Sequence, residues 1–277
     1  MAPGAGSASQ VGFADVNGVK LHYQVMGDGA SLVLVHSGIT DSRSWGPQLP
    51  AFTKKYRVLS YDMRGFGQSD VAHGKYSSSE DLAGIMGAVG IAPAALLGVS
   101  VGGSAVLDTA LQHPEMVRAL ILVGAGMSGR KHSAEYDQMI DEIDQLVVDK
   151  GLDAAIDREM EVWLYGRGRT AADVDPQLRA AVREMDFYNS GRYPPDAEPQ
   201  RIQPPAVGRL REIRVPTLVI VGDRDVDDVR QAAEELGRGI RGARLVVMPG
   251  VAHVPNMERP EEFNRLVLDF LDSLLVQ

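Results

Sequence analysis

The chain has 277 residues, 44% of them hydrophobic and 23% charged, with a formal net charge of −9. That size fits one large α/β domain with an insertion or two small domains, and the acidic balance argues against nucleic acid, anionic membranes and polyanionic substrates as partners. Cysteine is absent, which excludes disulfides, thiolate catalysis and cysteine–zinc sites.

Residues 1–10 carry no basic start and no apolar core, so they read as a disordered tail and not as a leader peptide. No apolar run is long enough to cross a bilayer, and a soluble, cytoplasmic protein is expected. Gly12 to Val16 and Val19 to Met26 alternate and are joined by Asn17-Gly18, the signature of an antiparallel hairpin with a type I′ turn. Leu32 to Val35 is a short buried strand, followed by a helix around Trp45 to Lys54 and a strand at Arg57 to Tyr61. Ser77 to Glu80 looks like a capped helix start leading through Asp81 to Val89.

Ala94 to Leu97 is a buried strand, and Ser104 to Gln112 a helix. Between them Gly98-Val99-Ser100-Val101-Gly102 fits G-x-S-x-G in the strand–turn–helix setting that a nucleophile elbow requires. A serine on so tight a turn sits in strained backbone, and small residues must flank it. The turn lifts the Ser100 hydroxyl above the sheet and places the Val101 amide at a helix N-terminus, where it can bind a developing oxyanion.

Ala119 to Val123, Thr217 to Val221 and Arg244 to Met248 are further strands, and Glu261 to Leu275 has helical spacing. Strands alternating with helices imply a mostly parallel sheet covered on both faces. Between residues 128 and 210 this rhythm stops. Asp137 to Val148 and Ala154 to Leu164 are amphipathic, Tyr193-Pro194-Pro195 and Gln203-Pro204-Pro205 are irregular, and no strand pattern is seen. The expectation is a core of residues 11–127 and 211–277 with a helical cap over 128–210.

A serine hydroxyl needs a base. His253 follows the last strand, and Val221-Gly222-Asp223-Arg224-Asp225 follows the strand before it. Both lie at carboxyl ends, where α/β sites form. Asp225 is the chosen acid and Asp223 the reserve, while Asp227 and Asp228 are expected to cap the next helix. Aromatic residues of the cap, Trp163, Tyr165, Phe187, Tyr188 and Tyr193, can supply an apolar pocket. Trp163 and Tyr188, with Trp45 of the core, are taken as its walls. His22, His73, His113 and His132 share no metal-ligand spacing, and no nucleotide-binding glycine motif is found, so neither metal nor cofactor is expected.

His36-Ser37-Gly38-Ile39, Asp62 to Ser69, the Ser100 elbow, Gly222 to Asp225 and Gly250 to His253 occur in this order. The chain thereby resembles the α/β-hydrolase superfamily, in particular capped bacterial esterases and 3-oxoadipate enol-lactonase-like proteins, over residues 11–275. The resemblance implies an eight-stranded sheet with its second strand antiparallel and a helical cap after strand six. It implies Gly38 as the second oxyanion donor, a structural His36, and a scaffolding role for Asp62 to Ser69. Ser37 stands where many relatives have glycine.

Serine at the elbow departs from the aspartate of haloalkane dehalogenases and epoxide hydrolases. Val99 and Val254 depart from the asparagine and tryptophan usual in meta-cleavage carbon–carbon hydrolases. The function implied is a serine hydrolase that cleaves a carboxylic ester or lactone of a small, mainly apolar molecule through an acyl-enzyme. The alternatives are a lyase, cyclase, thioesterase or cofactor-free oxygenase using the same His–Asp pair, or a non-catalytic small-molecule binder. Oligomeric state is not legible.

Overall fold

The computed structural model describes residues 9–71, 73–192 and 194–275. Its first element is an antiparallel hairpin of β1 (Gln10–Val16) and β2 (Val19–Met26), in register from Gln10 opposite Val25 to Val16 opposite Val19. Asn17 and Gly18 turn it with φ of 47° and 81°, the left-handed pair that a type I′ turn needs. Strand β1 therefore begins inside the stretch read as tail. Residues 1–8 of that stretch lie outside the described residues.

The remaining strands are β3 (Ala30–Val35), β4 (Tyr56–Tyr61), the short β5 (Gly74–Tyr76), β6 (Ala94–Val99), β7 (Val117–Val123), the short β8 (Ala197–Pro199), β9 (Thr217–Gly222) and β10 (Arg244–Met248). Eight of them form one sheet in the order β1-β2-β4-β3-β6-β7-β9-β10. Strand β2 is antiparallel to both neighbours, and every pair from β4 to β10 is parallel.

Alternation along the inner strands creates two apolar layers. Leu32 and Leu34 of β3, Leu97 and Val99 of β6, and Leu218 and Ile220 of β9 face one layer. Val33 and Val35, Leu96, and Val219 and Val221 face the other. Two-sided burial is why these strands read as continuous apolar runs.

Helices α1 (Leu49–Phe52), α2 (Ser78–Val89), α3 (Val101–Gln112), α4 (Ala134–Lys150), α5 (Leu152–Glu159), α6 (Pro176–Ser190), α7 (Asp227–Gly239), α8 (Pro255–Glu258) and α9 (Pro260–Leu275) cover the sheet and its rim. Phe52 of α1 and Phe263, Val267 and Phe270 of α9 complete the first layer. Leu82 of α2, Val106 of α3 and Leu236 of α7 complete the second, and Ile143, Ile156 and Val182 of α4–α6 extend the same cluster. The chain leaves the large sheet after β7, its sixth strand, for α4–α6 and returns at β9.

Three local readings differ. The helix expected at 45–54 is a 3-10 turn at Ser42–Trp45 plus the one-turn α1, whose Pro50 cannot donate to a preceding turn. Helix α6 was not foreseen, although Asp175-Pro176 marks its start: the Asp175 carboxylate accepts from the Gln177 and Leu178 amides. The insertion also holds a strand, β8, paired in parallel with β5. Three residues beside prolines are too few to show alternation.

Candidate active site

The elbow is built as its glycines require. Ser100 has φ 56° and ψ −116°, strained for a residue with a side chain. Its amide continues the sheet by donating to the Val123 carbonyl at 2.8 Å. A Cβ at Gly98 would lie 2.2 Å from the Gly102 carbonyl oxygen, and one at Gly102 would lie 2.4 Å from that of His36. Glycine is therefore needed at both places so that β6, the turn and β3 can touch. Helix α3 starts directly at Val101, and a Cβ built on Gly38 would meet the Val101 side chain at 3.7 Å. The two predicted donor residues are thus neighbours.

The loop that carries Gly38 is held by His36. Its Nδ1–H donates to the Ser37 carbonyl at 2.8 Å, and its Nε2 accepts from the Met63 amide at 3.0 Å. Burial pushes its pKa down and keeps it neutral, as those two bonds require. The Ser37 hydroxyl is joined to that of Thr40 at 2.9 Å. Asp62 accepts from the Ser42 and Gln68 amides at 2.8 and 2.9 Å, and Arg64 grips Asp81 through two bonds of 2.8 Å. These groups tie loops together away from the elbow.

Asp225 is completely buried and lies at 2.8 Å from Nδ1 of His253, while its other oxygen accepts the Val226 amide at 2.8 Å. Nε2 is then the ring nitrogen left to handle protons. Asp223, the reserve, spends its carboxylate on the Gly250 amide at 2.7 Å and thereby shapes the histidine loop. No hydrogen bond joins the Ser100 hydroxyl to His253 among the described residues. Such bonds often form only around substrate.

Ser100, His253, Gly38 and Val101 line one cavity of about 490 Å³. Trp163 lines it too, with its ring 4.8 Å from the His253 ring. Trp163 lies on a single π-helical turn, Met160–Tyr165, and its carbonyl accepts the His253 amide at 3.1 Å. Such turns recur at functional sites because they free backbone groups.

Two expected walls are corrected. Trp45 is 0% exposed in the layer on the other side of the sheet, with Phe52 and Phe263. Tyr188 is 47% exposed on the outer side of α6 beside Arg192. Phe187 is also exposed, Tyr165 packs against the core, and Tyr193 lies outside the described residues. An aromatic residue announces burial but not its partner. Polar and charged residues share the lining with apolar ones: Ser104, Arg130, Glu159, Asp186, Arg201 and Asp228 all border the cavity. Asp228 is no helix cap: it is buried and accepts from Arg130 and the Ser133 amide at 2.9 and 3.0 Å, joining α7 to the start of α4. The cap position of α7 is Val226, and Asp227 lies in its first turn.

Several supporting residues escaped the sequence reading. Gly124, at φ 51°, is so close that a Cβ there would sit 3.2 Å from the His253 ring and 3.4 Å from Asp225. Arg169 donates to the Gly250 and Leu164 carbonyls at 2.9 and 2.8 Å and to Glu258 at 2.7 Å, and Glu258 in turn accepts the Ala252 amide at 2.7 Å. Buried Asn189 accepts the Gly67 amide at 2.9 Å and donates to the Thr40 carbonyl, fastening α6 to two core loops. A glycine directly after a strand was the only signal available for Gly124.

Among the described residues no cluster able to hold a metal ion is found, and no helix is long and apolar enough to cross a membrane. The chain is 28% identical over 275 residues to a 2-hydroxy-6-oxo-6-phenylhexa-2,4-dienoate hydrolase of Comamonas testosteroni, covering 93% of each chain. It is 28% identical to the human serine hydrolase BPHL, covering 92% of this chain and 84% of that one. The crystal structure of the enol-lactonase from Burkholderia xenovorans LB400 superposes with a TM-score of 0.77 at 30% identity, covering 94% of this chain and 100% of that one. These relatives are hydrolases, and the expected fold, a mostly parallel eight-stranded sheet flanked by helices, is the one observed. With residues 32–266 matching the model of the alpha/beta hydrolase family, the chain belongs to that family.

Proposed function

We propose that the protein is a serine hydrolase that cleaves a carboxylic ester or lactone through an acyl-enzyme. The observation that carries this reading is the 2.8 Å Asp225–His253 contact beside the elbow serine at one cavity. Ser100 attacks the carbonyl while His253 takes its proton, and buried Asp225 stabilises the imidazolium that results. The Gly38 and Val101 amides, the latter at the head of a helix, receive the oxyanion. His253 then protonates the leaving alkoxide, and water repeats the cycle on the acyl group. For a lactone both products remain one molecule. The enol-lactonase likeness supports the lactone half of this reading. The cytoplasm is its expected setting.

The experiment is labelling with a serine-directed phosphonate, read by peptide mass, alongside turnover of nitrophenyl esters. The expected result is one adduct on Ser100, and a fall in kcat on the order of 10⁶ for Ser100→Ala. Near-wild-type turnover by that variant would refute the mechanism.

A further inference from the structure

One hydroxyl on the cavity wall is held in place by the fold and bonded to nothing in it. Tyr136, on the first turn of α4, lines the cavity together with Ser100 and His253. Its backbone is fixed: its amide donates to the Ser133 hydroxyl at 3.1 Å, and the Ser133 amide donates to buried Asp228 at 3.0 Å. Its ring is fixed as well. The His132 ring stacks on it at 4.4 Å and 14°, and the Trp163 ring meets it at 6.3 Å and 60°. Trp163 in turn covers the imidazole of His253.

Among the described residues the phenol oxygen of Tyr136 has no hydrogen-bond partner, and it is not sealed off in the packing either. It is therefore an accessible group of a residue that borders the cavity. Burial, and then the charges of Asp228 and Asp225, hold its pKa above that of an ordinary phenol, so it keeps its proton and stands as a donor. Asp225 is the partner of His253, and its action on Tyr136 sets this donor at the histidine end of the cavity. Other polar groups of the wall are engaged within the protein. Arg130 pairs with Asp228, Asp186 bonds to Glu159, and the Ser104 hydroxyl donates to the Gly126 carbonyl at 3.1 Å. Arg201 acts on Asp108 of α3.

We propose that the Tyr136 hydroxyl donates a hydrogen bond to the departing oxygen of the ester or lactone, beside the proton that His253 delivers. This deepens the hydrolase reading and rests on it. The Gly38 and Val101 amides serve the carbonyl oxygen, whereas the departing oxygen has to come within reach of His253, where Tyr136 stands. As the bond between the carbonyl carbon and that oxygen breaks, the electron pair stays on the oxygen and the proton taken from Ser100 passes to it from Nε2 of His253. Tyr136 keeps its own proton and shares the negative charge while the transfer is incomplete. A poor leaving group builds up more of that charge than a good one and needs the donor more.

The test is Tyr136→Phe against three esters with one acyl group: 4-nitrophenyl, 4-methylphenyl and benzyl hexanoate. All three form the same acyl-enzyme, so they differ only in the oxygen that departs. The variant should lose about 10- to 100-fold in kcat/KM on the benzyl ester, less on the methylphenyl ester and under about threefold on the nitrophenyl ester. Its rate of labelling by a fluorophosphonate, whose fluoride leaves without a donor to oxygen, should equal that of wild type. Thermal unfolding checks that the variant is folded. Equal losses on all three esters, matched by slower labelling, would assign Tyr136 to packing alone and overturn the proposal. Unchanged turnover of the benzyl ester would also overturn it, while leaving the hydrolase reading intact. Wild type that neither cleaves any of the esters nor forms an adduct on Ser100 would refute both.

Discussion

The Trp163 carbonyl accepts the His253 amide at 3.1 Å while the indole of the same residue lies 4.8 Å from the imidazole. A residue of the helical insertion thus holds the proposed base by its backbone and covers it with its ring. In Trp163→Ala the backbone bond remains and the cover is lost, so the imidazole gains freedom. We expect kcat/KM for a nitrophenyl ester to fall by about 10²-fold, the scale of a small misplacement of a reacting group. An unchanged value would show that the ring plays no part in positioning.

Gly124→Ala tests the same geometry from beneath. The added methyl meets a positive φ and stands 3.2 Å from the His253 ring. The ring must shift, and a fall in kcat on the order of 10² is expected with little change in fold by circular dichroism.

Asp225→Asn and Asp223→Asn separate the two candidate acids. The first removes the group at 2.8 Å from His253 and should lower kcat by roughly 10⁴. The second weakens only the loop contact to Gly250 and should cost far less. Equal losses in stopped-flow or steady-state assays would contradict the assignment.

Arg169→Ala removes one partner of a pair whose side chains are 13% and 4% exposed. It leaves Glu258 buried without a counter-charge and three carbonyls short of a donor. A loss of about 3 kcal/mol in urea unfolding is expected.

Stability should also depend on pH through Asp186. In the folded state it titrates at about 9, raised by burial and then by Glu159, against an ordinary 3.8. Between those values the folded protein keeps a proton that the unfolded chain has released. Stability is therefore greatest below the unfolded value and declines as pH climbs toward the folded one, by up to about 1.4 kcal/mol per unit. Asp186→Asn abolishes that contribution, and its denaturation midpoint should gain on wild type between about pH 5 and pH 8. A constant difference across that range would show that Asp186 holds no extra proton.

What could be read from the order of residues was what neighbouring residues decide. The Asn17-Gly18 turn, the two-layer strands and the glycine-flanked Ser100 follow from φ preferences, alternation and local crowding, which act over a few residues. The positions of Asp225 and His253 were legible because strand ends are, and a parallel sheet gathers its carboxyl ends on one rim. The choice between Asp223 and Asp225, two residues apart, needed the partner each side chain meets.

Trp45 and Tyr188 were misplaced for a related reason. Apolar periodicity states that a face is buried or exposed, not which other face it meets. Arg169 and Glu258 stand 89 residues apart, and nothing near either one announces the other. The same holds for the acidic pair of α5 and α6, whose two charges look solvated on their own helices. Local geometry was written in the chain itself; which distant side chains share a desolvated space was decided only by packing, because burial turns a weak interaction between separate charges into a strong one.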